Sequence, residues 1–329
     1  ITKIDIPATP APANQTSWTK ALDFSGSSER AQQIASHQNY IPMYMGALAQ
    51  TVAGPSISNF TSNDTLARPW ATACVFKNDG NGSNQHIWNI GEGAGSSDDN
   101  IYLRTDQFNA LYFGWGRQGA VNEQMIVSNL GTAAYYGCYI GFNGTRLSGN
   151  DATAANLSAA FDIKLMFNNG GTWIMNPNPG SFGGGTWSST GGRMDRSITG
   201  SLTIGGRGSN RSYHGKVASF VTTTLRRAQV MPTNAEIEMM VTDPMKWLDD
   251  YKIGQQWRPP AQNYNNANFQ KNSSCNPATQ VWLMGDGTND SYSNMIRNQV
   301  YPQDQNYTKL NLLSMVSNDI QTVNIPGLS

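Results

Sequence analysis

Short apolar and aromatic runs, each closed by a cluster of Gly, Asn, Ser and Asp, recur through the middle of this chain. They limit it to a many-stranded β fold. The runs are Trp70–Phe76, Gln85–Ile90, Ile101–Arg104, Ala110–Trp115, Gln124–Val127, Tyr135–Phe142, Phe161–Phe167, Ser201–Gly205 and Lys216–Thr224, with an earlier short run at Ala21–Phe24. Turn clusters such as Asn78-Asp79-Gly80-Asn81-Gly82 and the stretch 91–100 separate them. Many short strands at this spacing with few helices predict an antiparallel sandwich or jelly roll. Residues 168–200 read as a long Gly/Ser/Trp-rich loop, and residues 28–67 as a short helix or an irregular excursion.

One helix is legible. Thr233 and Glu236 form a capping box, and Ile237, Met240 and Val241 follow at i, i+3 and i+4 as one apolar face. Asp243-Pro244 ends it, since a proline disfavours helical geometry in the residue before it. A short turn, Met245–Tyr251, follows. Residues 1–17, Pro-rich and aperiodic, predict an extended arm. Residues 18–251 predict the main domain and 252–280 a Pro/Asn-rich linker. Residues 281–329 predict an extension that packs on the domain or on a neighbouring subunit.

Charge narrows the function. Only 13% of the 329 residues are charged, and 22 basic residues balance 22 acidic ones. No basic surplus is present to neutralise a phosphate backbone, which argues against nucleic-acid binding. No apolar window approaches the roughly 18 residues of a membrane-spanning helix. The amino terminus lacks the charged-then-apolar order of a signal peptide. Cys74, Cys138 and Cys275 show no metal-ligand spacing; Cys74 and Cys138 read as buried thiols, with a bridge between them left open.

Several runs carry a family resemblance. Trp18 to Gly26 resembles the opening strand of laminin-G-like, concanavalin A-like jelly-roll domains, and Pro69 to Lys77 their next long strand. Ile204 to Arg207 and Gly215 to Val221 resemble the late strands. Thr233 to Ile237, with Asp243-Pro244 and Trp247, is similar to the helix that closes such domains in bacteriophage proteins. The runs Asn84 to Asn89, Asp99 to Arg104 and Leu111 to Arg117 resemble marine-phage proteins of this type. The resemblance implies an all-β, concanavalin A-like antiparallel sandwich with one or two short helices and extended terminal arms. It also implies a virion structural role at the particle surface (capsid decoration, tail or fibre component). The partners it implies are other virion proteins, further copies of the chain and a cell-surface glycan. The alternatives are a carbohydrate-binding module of an extracellular surface protein, or a polysaccharide-degrading enzyme.

Catalysis is disfavoured. Retaining glucanases need two carboxylates about 5–5.5 Å apart, which alternate positions of one strand supply. The five glutamates, Glu29, Glu92, Glu123, Glu236 and Glu238, form no such run on a strand. The Gly-Asp run at Met284 to Ser291 lacks a serine after its first aspartate, so it supplies no nucleophile. No cofactor is expected, with calcium the one candidate: Asp98, Asp99 and Asn100 offer hard oxygen ligands before a strand, although an Asx-rich turn that caps its own amides is the favoured reading of them. For a glycan, Trp88, Tyr102, Tyr112 and Trp115 offer aromatic platforms, with Arg104 and Arg117 as donors. Core packing of the same aromatics stays open beside that reading, and Trp173 and Trp187 in the long loop offer a second contact surface.

Overall fold

The structure, a computed structural model of the chain, describes residues 20–25, 28–33, 70–80, 82, 84–91, 100–117, 120–143, 153–169, 172–176, 187–189, 201–207, 211–224, 231–248, 250, 279–284, 295–297, 309–313 and 320–322. The chain opens with β1 (Lys20–Phe24), β2 (Arg30–Gln33), β3 (Trp70–Asn78), β4 (Gln85–Gly91), β5 (Asn100–Thr105), β6 (Leu111–Arg117), β7 (Ala120–Val127) and β8 (Tyr136–Phe142). Then come α1 (Ala154–Ala160), β9 (Phe161–Asn169), β10 (Thr172–Asn176), β11 (Trp187–Ser189), β12 (Ser201–Ile204) and β13 (Gly215–Thr224). Helices α2 (Asn234–Thr242) and α3 (Pro244–Trp247) precede β14 (Thr279–Leu283), β15 (Met295–Arg297), β16 (Lys309–Leu313) and β17 (Ile320–Thr322).

The strands form two antiparallel sheets of a jelly-roll β-sandwich. The first runs β10-β9-β8-β3-β13-β1-β17, with β14 also on β13; the second runs β11-β7-β6-β5-β4-β12-β2-β16-β15. Their inner faces meet over Trp70, Phe76, Trp88, Phe113, Phe142, Phe161, Phe220 and Trp282, all buried in one cluster. Trp70 lies edge-on to Phe113 and Phe161, the geometry that ring quadrupoles favour.

The first sheet is buried on both faces. Along β3, Trp70, Cys74 and Phe76 face the sandwich interior, while Ala71, Ala73 and Val75 face a second cluster with Ile237, Met240 and Val241 of α2 and Trp247 of α3. Small residues on the outer side let α2 lie close. Gly137 of β8 faces Val241 so tightly that any Cβ there would strike it. Thr233 Oγ1 accepts from the Glu236 amide at 3.2 Å, as the capping box predicts, and the Glu236 carboxylate accepts from Trp247 Nε1 at 3.1 Å, which ties α2 to α3. Asp243 then caps α3 by accepting from the Lys246 amide at 3.0 Å, with Pro244 as the first helical residue.

Several elements differ from expectation. Arg30–Gln33 is a strand held by its neighbours: Ala31 pairs with Ile204 on one side and Leu312 on the other. The segment read as a loop at 168–200 contains β10 and β11. A helix, α1, precedes β9, capped by Thr153, whose side chain accepts from the Asn156 amide. The span read as a linker ends inside β14, which starts at Thr279. Residues 1–17 and 252–278 lie outside the described residues.

The carboxy-terminal strands enter both sheets. β17 pairs with β1, and β16 with β2, so the two amino-terminal strands are flanked on both sides. β14 pairs with β13 from Ser219 to Thr223, beyond the point where β1 leaves it at Val217, and the Met284 amide donates to Ala218 O at the bulge between them. Covered edges remove a template for aggregation. Because Trp282 lies inside the main core, Trp282→Ala should cost about 3–5 kcal/mol. Denaturant unfolding should stay a single transition, independent of protein concentration. Gly137→Ala should cost about 1–3 kcal/mol by pushing α2 off the sheet, read as a lower unfolding midpoint.

Candidate ligand-binding face

The outer face of the second sheet carries the polar residues of its strands, and one irregularity in β4 decides which they are. His86 pairs with Arg104 and Trp88 with Leu103, so Ile87 is an extra residue in β4. The bulge lets Ile87 and Trp88 both enter the interior. His86 and Asn89 take the opposite face, beside Tyr102 and Arg104 of β5. Trp88 is therefore not a sugar platform: it is 1% exposed, and its ring meets Phe220 edge-on at 5.5 Å.

Around Arg104 the side chains lock together. Arg104 donates from Nε to Glu123 Oε1 at 2.7 Å and from Nη2 to Oε2 at 2.8 Å, a bidentate pair, and from Nη1 to Asn84 Oδ1 at 2.9 Å. Tyr102 donates its hydroxyl to Glu123 Oε1 at 2.7 Å. The Arg104 guanidinium lies over the Tyr112 ring, 4.3 Å from its centroid. Tyr112 donates to Asp106 Oδ2 at 3.2 Å, and Asp106 Oδ1 accepts from the amides of Phe108 and Ala110. Tyr102 pairs with Gly114, which pairs with Glu123. With no side chain at Gly114, the β5 residues reach Glu123 across β6.

Electrostatics follow this packing. Burial works against the Arg104 charge, but the Glu123 carboxylate outweighs it and holds the guanidinium above its usual value. Burial, then the Glu123 carboxylate, pushes the Tyr102 hydroxyl well up. Burial, then Asp106, raises that of Tyr112. His86 is fully buried, with its ring centroid 4.9 Å from that of Tyr102. Burial and the guanidiniums of Arg211, Arg207 and Arg104 push its pKa well below the usual value, so the ring stays neutral. Neither ring nitrogen has a hydrogen-bond partner, and neither has Asn89 Oδ1.

Of the residues singled out in the sequence, Tyr102, Arg104 and Tyr112 come together here. Trp115 and Arg117 lie in β6, paired with Ile101 and Ala120, and their side chains fall outside the described residues. Asp98 and Asp99 also lie outside them; Asn100 begins β5 and is buried. Among the described residues no group of three or more His, Cys, Asp or Glu side chains is placed to hold a metal ion. Trp173 packs in the cluster beneath α2 rather than forming a contact surface, and the side chain of Trp187 is outside the described residues. Cys74 and Cys138 are free and buried, and they face each other across β3 and β8. The Asn143 and Asn168 amides bond to Ala160 O and Tyr135 O, which turns odd-numbered β8 residues toward β9 and Cys138 toward β3. The two cysteines thus form a hydrogen-bonded pair, whose side chains stand farther apart than those of the alternate kind. Among the described residues no helix is long and apolar enough to cross a membrane.

Sequence reasoning missed Glu123, Asn84, His86 and Asn89. Glu123 is set by the register of the β6–β7 hairpin, and His86 and Asn89 by the bulge. The available signal was the polar side of β4 and β5, where His86, Asn89, Tyr102 and Arg104 stand among Ile, Trp and Leu.

No family model matches the chain, and no curated protein matches its sequence. Among solved structures it is similar to a heptameric SAP-like pentraxin from Limulus polyphemus, at 11% identity and TM-score 0.32 over 67% of this chain and 81% of that one. It is also similar to domains LG4-5 of the mouse laminin alpha1 chain, at 11% identity and TM-score 0.29 over 66% of this chain and 45% of that one. A third similarity is to the enzymatically active domain of bacteriophage CBA120 tailspike protein 2, at 14% identity and TM-score 0.28 over 54% of this chain and 25% of that one. The first two are jelly-roll β-sandwiches. At these scores the architecture rests on the strand pairings themselves.

The neutral, buried His86 sets a pH dependence. Above the ordinary histidine value near 6.5 its protonation does not distinguish folded from unfolded chain. Below it, the unfolded chain binds a proton that the folded ring refuses, so stability falls as pH drops toward the depressed folded value. Denaturation midpoints at pH 7.5 and 5.5 should differ by up to about 1.4 kcal/mol per pH unit below 6.5. His86→Phe should flatten that dependence.

Proposed function

We propose that this chain is a non-enzymatic, lectin-like jelly roll displayed at the surface of a bacteriophage virion, where it attaches the particle to a cell-surface glycan. The observation that carries the reading is the array around Arg104. Sugar recognition needs fixed donors and acceptors beside an aromatic ring, held on rigid elements. Arg104 uses three of its five N–H groups within the fold, which leaves two for ligand hydroxyls. The Tyr112 ring beneath it is only half-buried.

The carboxylates of this face support binding over hydrolysis. Glu123 accepts from Arg104 on both oxygens and from Tyr102, and Asp106 caps backbone amides. Both carboxylates are taken up as acceptors within the fold. The virion setting is supported by the order of jelly-roll runs that resembles marine-phage proteins. Its partners there are other virion proteins and further copies of itself.

On a glycan array the wild-type chain should bind a subset of glycans. Arg104→Lys and Tyr112→Ala should weaken that binding about tenfold, the effect of losing hydrogen bonds to a charged group. Absence of binding to every glycan would overturn the lectin reading. Antibody labelling of purified particles should place the chain on the virion; unlabelled particles would move the same binding face to an extracellular surface protein.

A further inference from the structure

We propose that Phe108 is the stacking platform of this face and that it takes a neutral pyranose, the sugar's C–H side lying on the ring and its hydroxyls bonding to the Gln107 amide. The proposal rests on the lectin reading and names the class of sugar and the residue that selects it. Exposure singles the residue out. Among the Phe, Tyr and Trp side chains that the structure describes, Phe108 alone is exposed, at 71%. Trp88 and Trp173 are buried, and one face of the half-buried Tyr112 ring is covered by the Arg104 guanidinium. The open aromatic face that a sugar needs is left to Phe108.

A lone exposed apolar side chain is ordinary; this one stands on a turn built to hold its backbone still. β5 ends at Thr105 and β6 begins at Leu111. Between them the Asn109 amide donates to Asp106 O and the Asp106 amide to Ala110 O, each at 3.1 Å. Asn109 takes the left-handed φ of 59° that closes such a turn, a conformation asparagine tolerates. The Asp106 carboxylate fills the loop by accepting from the Phe108 and Ala110 amides at 2.9 Å each. Two bonds from outside pin the tip: the Leu130 amide donates to Asn109 O at 2.8 Å, and Asn78 Nδ2 donates to Asn109 Oδ1 at 2.9 Å. The backbone that carries Phe108 is ordered by the fold, so a ligand does not bear that entropy cost.

The same carboxylate joins the turn to the array around Arg104. Asp106 Oδ1 holds the Phe108 amide, and Oδ2 accepts from the Tyr112 hydroxyl. Gln107 and Phe108, both exposed, therefore stand at the end of the face next to Tyr112. The Gln107 amide offers two donors and an acceptor. Charge disfavours an acidic sugar here, because the array sets two carboxylates, Glu123 and Asp106, against the single Arg104 guanidinium. A neutral pyranose matches both groups: its axial C–H groups meet the negative face of an aromatic ring, and its rim of hydroxyls meets an amide. A purely apolar partner would bury the Gln107 amide without a hydrogen bond.

The test places the full chain on an array of neutral glycans beside their sialylated and sulfated forms. Neutral glycans should bind at least as tightly as the acidic forms. Phe108→Ala should weaken binding about tenfold and leave the unfolding midpoint unchanged, since the exposed ring adds nothing to the core. Phe108→Trp should keep the affinity, and its emission should shift to the blue on saturation with the best-binding neutral glycan. Phe108→Leu, apolar but without a π face, should lose as much as the alanine variant. Unchanged binding by Phe108→Ala overturns the proposal and leaves the lectin reading standing. Full affinity in Phe108→Leu overturns it in favour of a plain apolar contact, and tighter binding of the sialylated or sulfated forms overturns the neutral class. Binding to no glycan overturns both the proposal and the lectin reading.

Discussion

Strand β13 is where the first, middle and last parts of the chain meet, and the sandwich depends on its pairings. Along one edge it pairs with β3 from Gly215 to Thr224. Along the other it takes β1 as far as Val217 and β14 from Ser219 onward, with the bulge at Ala218 marking the handover. That bulge turns the strand where its partner changes. The same strand sends Phe220 to the interior and Val221 to the helix side, so both cores of the first sheet rest on it. A chain folded without β14 leaves half of this edge open and removes Trp282 from the centre.

The second sheet has a comparable pivot in Ile87. Strand geometry puts residues i and i+2 on one face, so a regular β4 would send His86 and Trp88 together. One extra residue separates them, and the chain gains a large aromatic in the core and a histidine outside it. The outer row then assembles by register alone: His86, Arg104 and Tyr112 in one line, Thr203, Asn89, Tyr102, Gly114 and Glu123 in the next. Glycine at 114 leaves a gap in the second line, and through it Tyr102 and Arg104 reach Glu123.

This explains which parts were legible in the sequence. Strands such as Trp70–Asn78 and Tyr136–Phe142 announce themselves because burial on one or both faces demands apolar residues throughout. α2 shows its cap and its apolar face. Arg30–Gln33 contributes one core residue, Ala31, and is a strand only because β12 and β16 flank it, so pattern reading had nothing to detect. Tyr102, Arg104 and Tyr112 were recognisable as residue types suited to a sugar. Trp88 was not separable from them, because a bulge at Ile87 leaves no mark in residue identity. Glu123 depended on a hairpin register that short polar runs do not specify.

The face joins two regions of opposite character. Around Arg104 the polar groups are cross-bonded, which fixes Tyr102, Glu123 and Tyr112 on three adjacent strands before any ligand arrives. Around His86 the ring nitrogens and Asn89 Oδ1 are buried without hydrogen-bond partners, with the Arg211 backbone along one edge of β4 and Arg104 along the other. A fold gains nothing in stability from the second region; unpaired buried groups and like charges both oppose folding. The cost falls on the one corner of the sandwich where strands β4 and β12 meet the segment that carries Arg207 and Arg211, and the extensive aromatic core between the sheets is what lets the chain carry it.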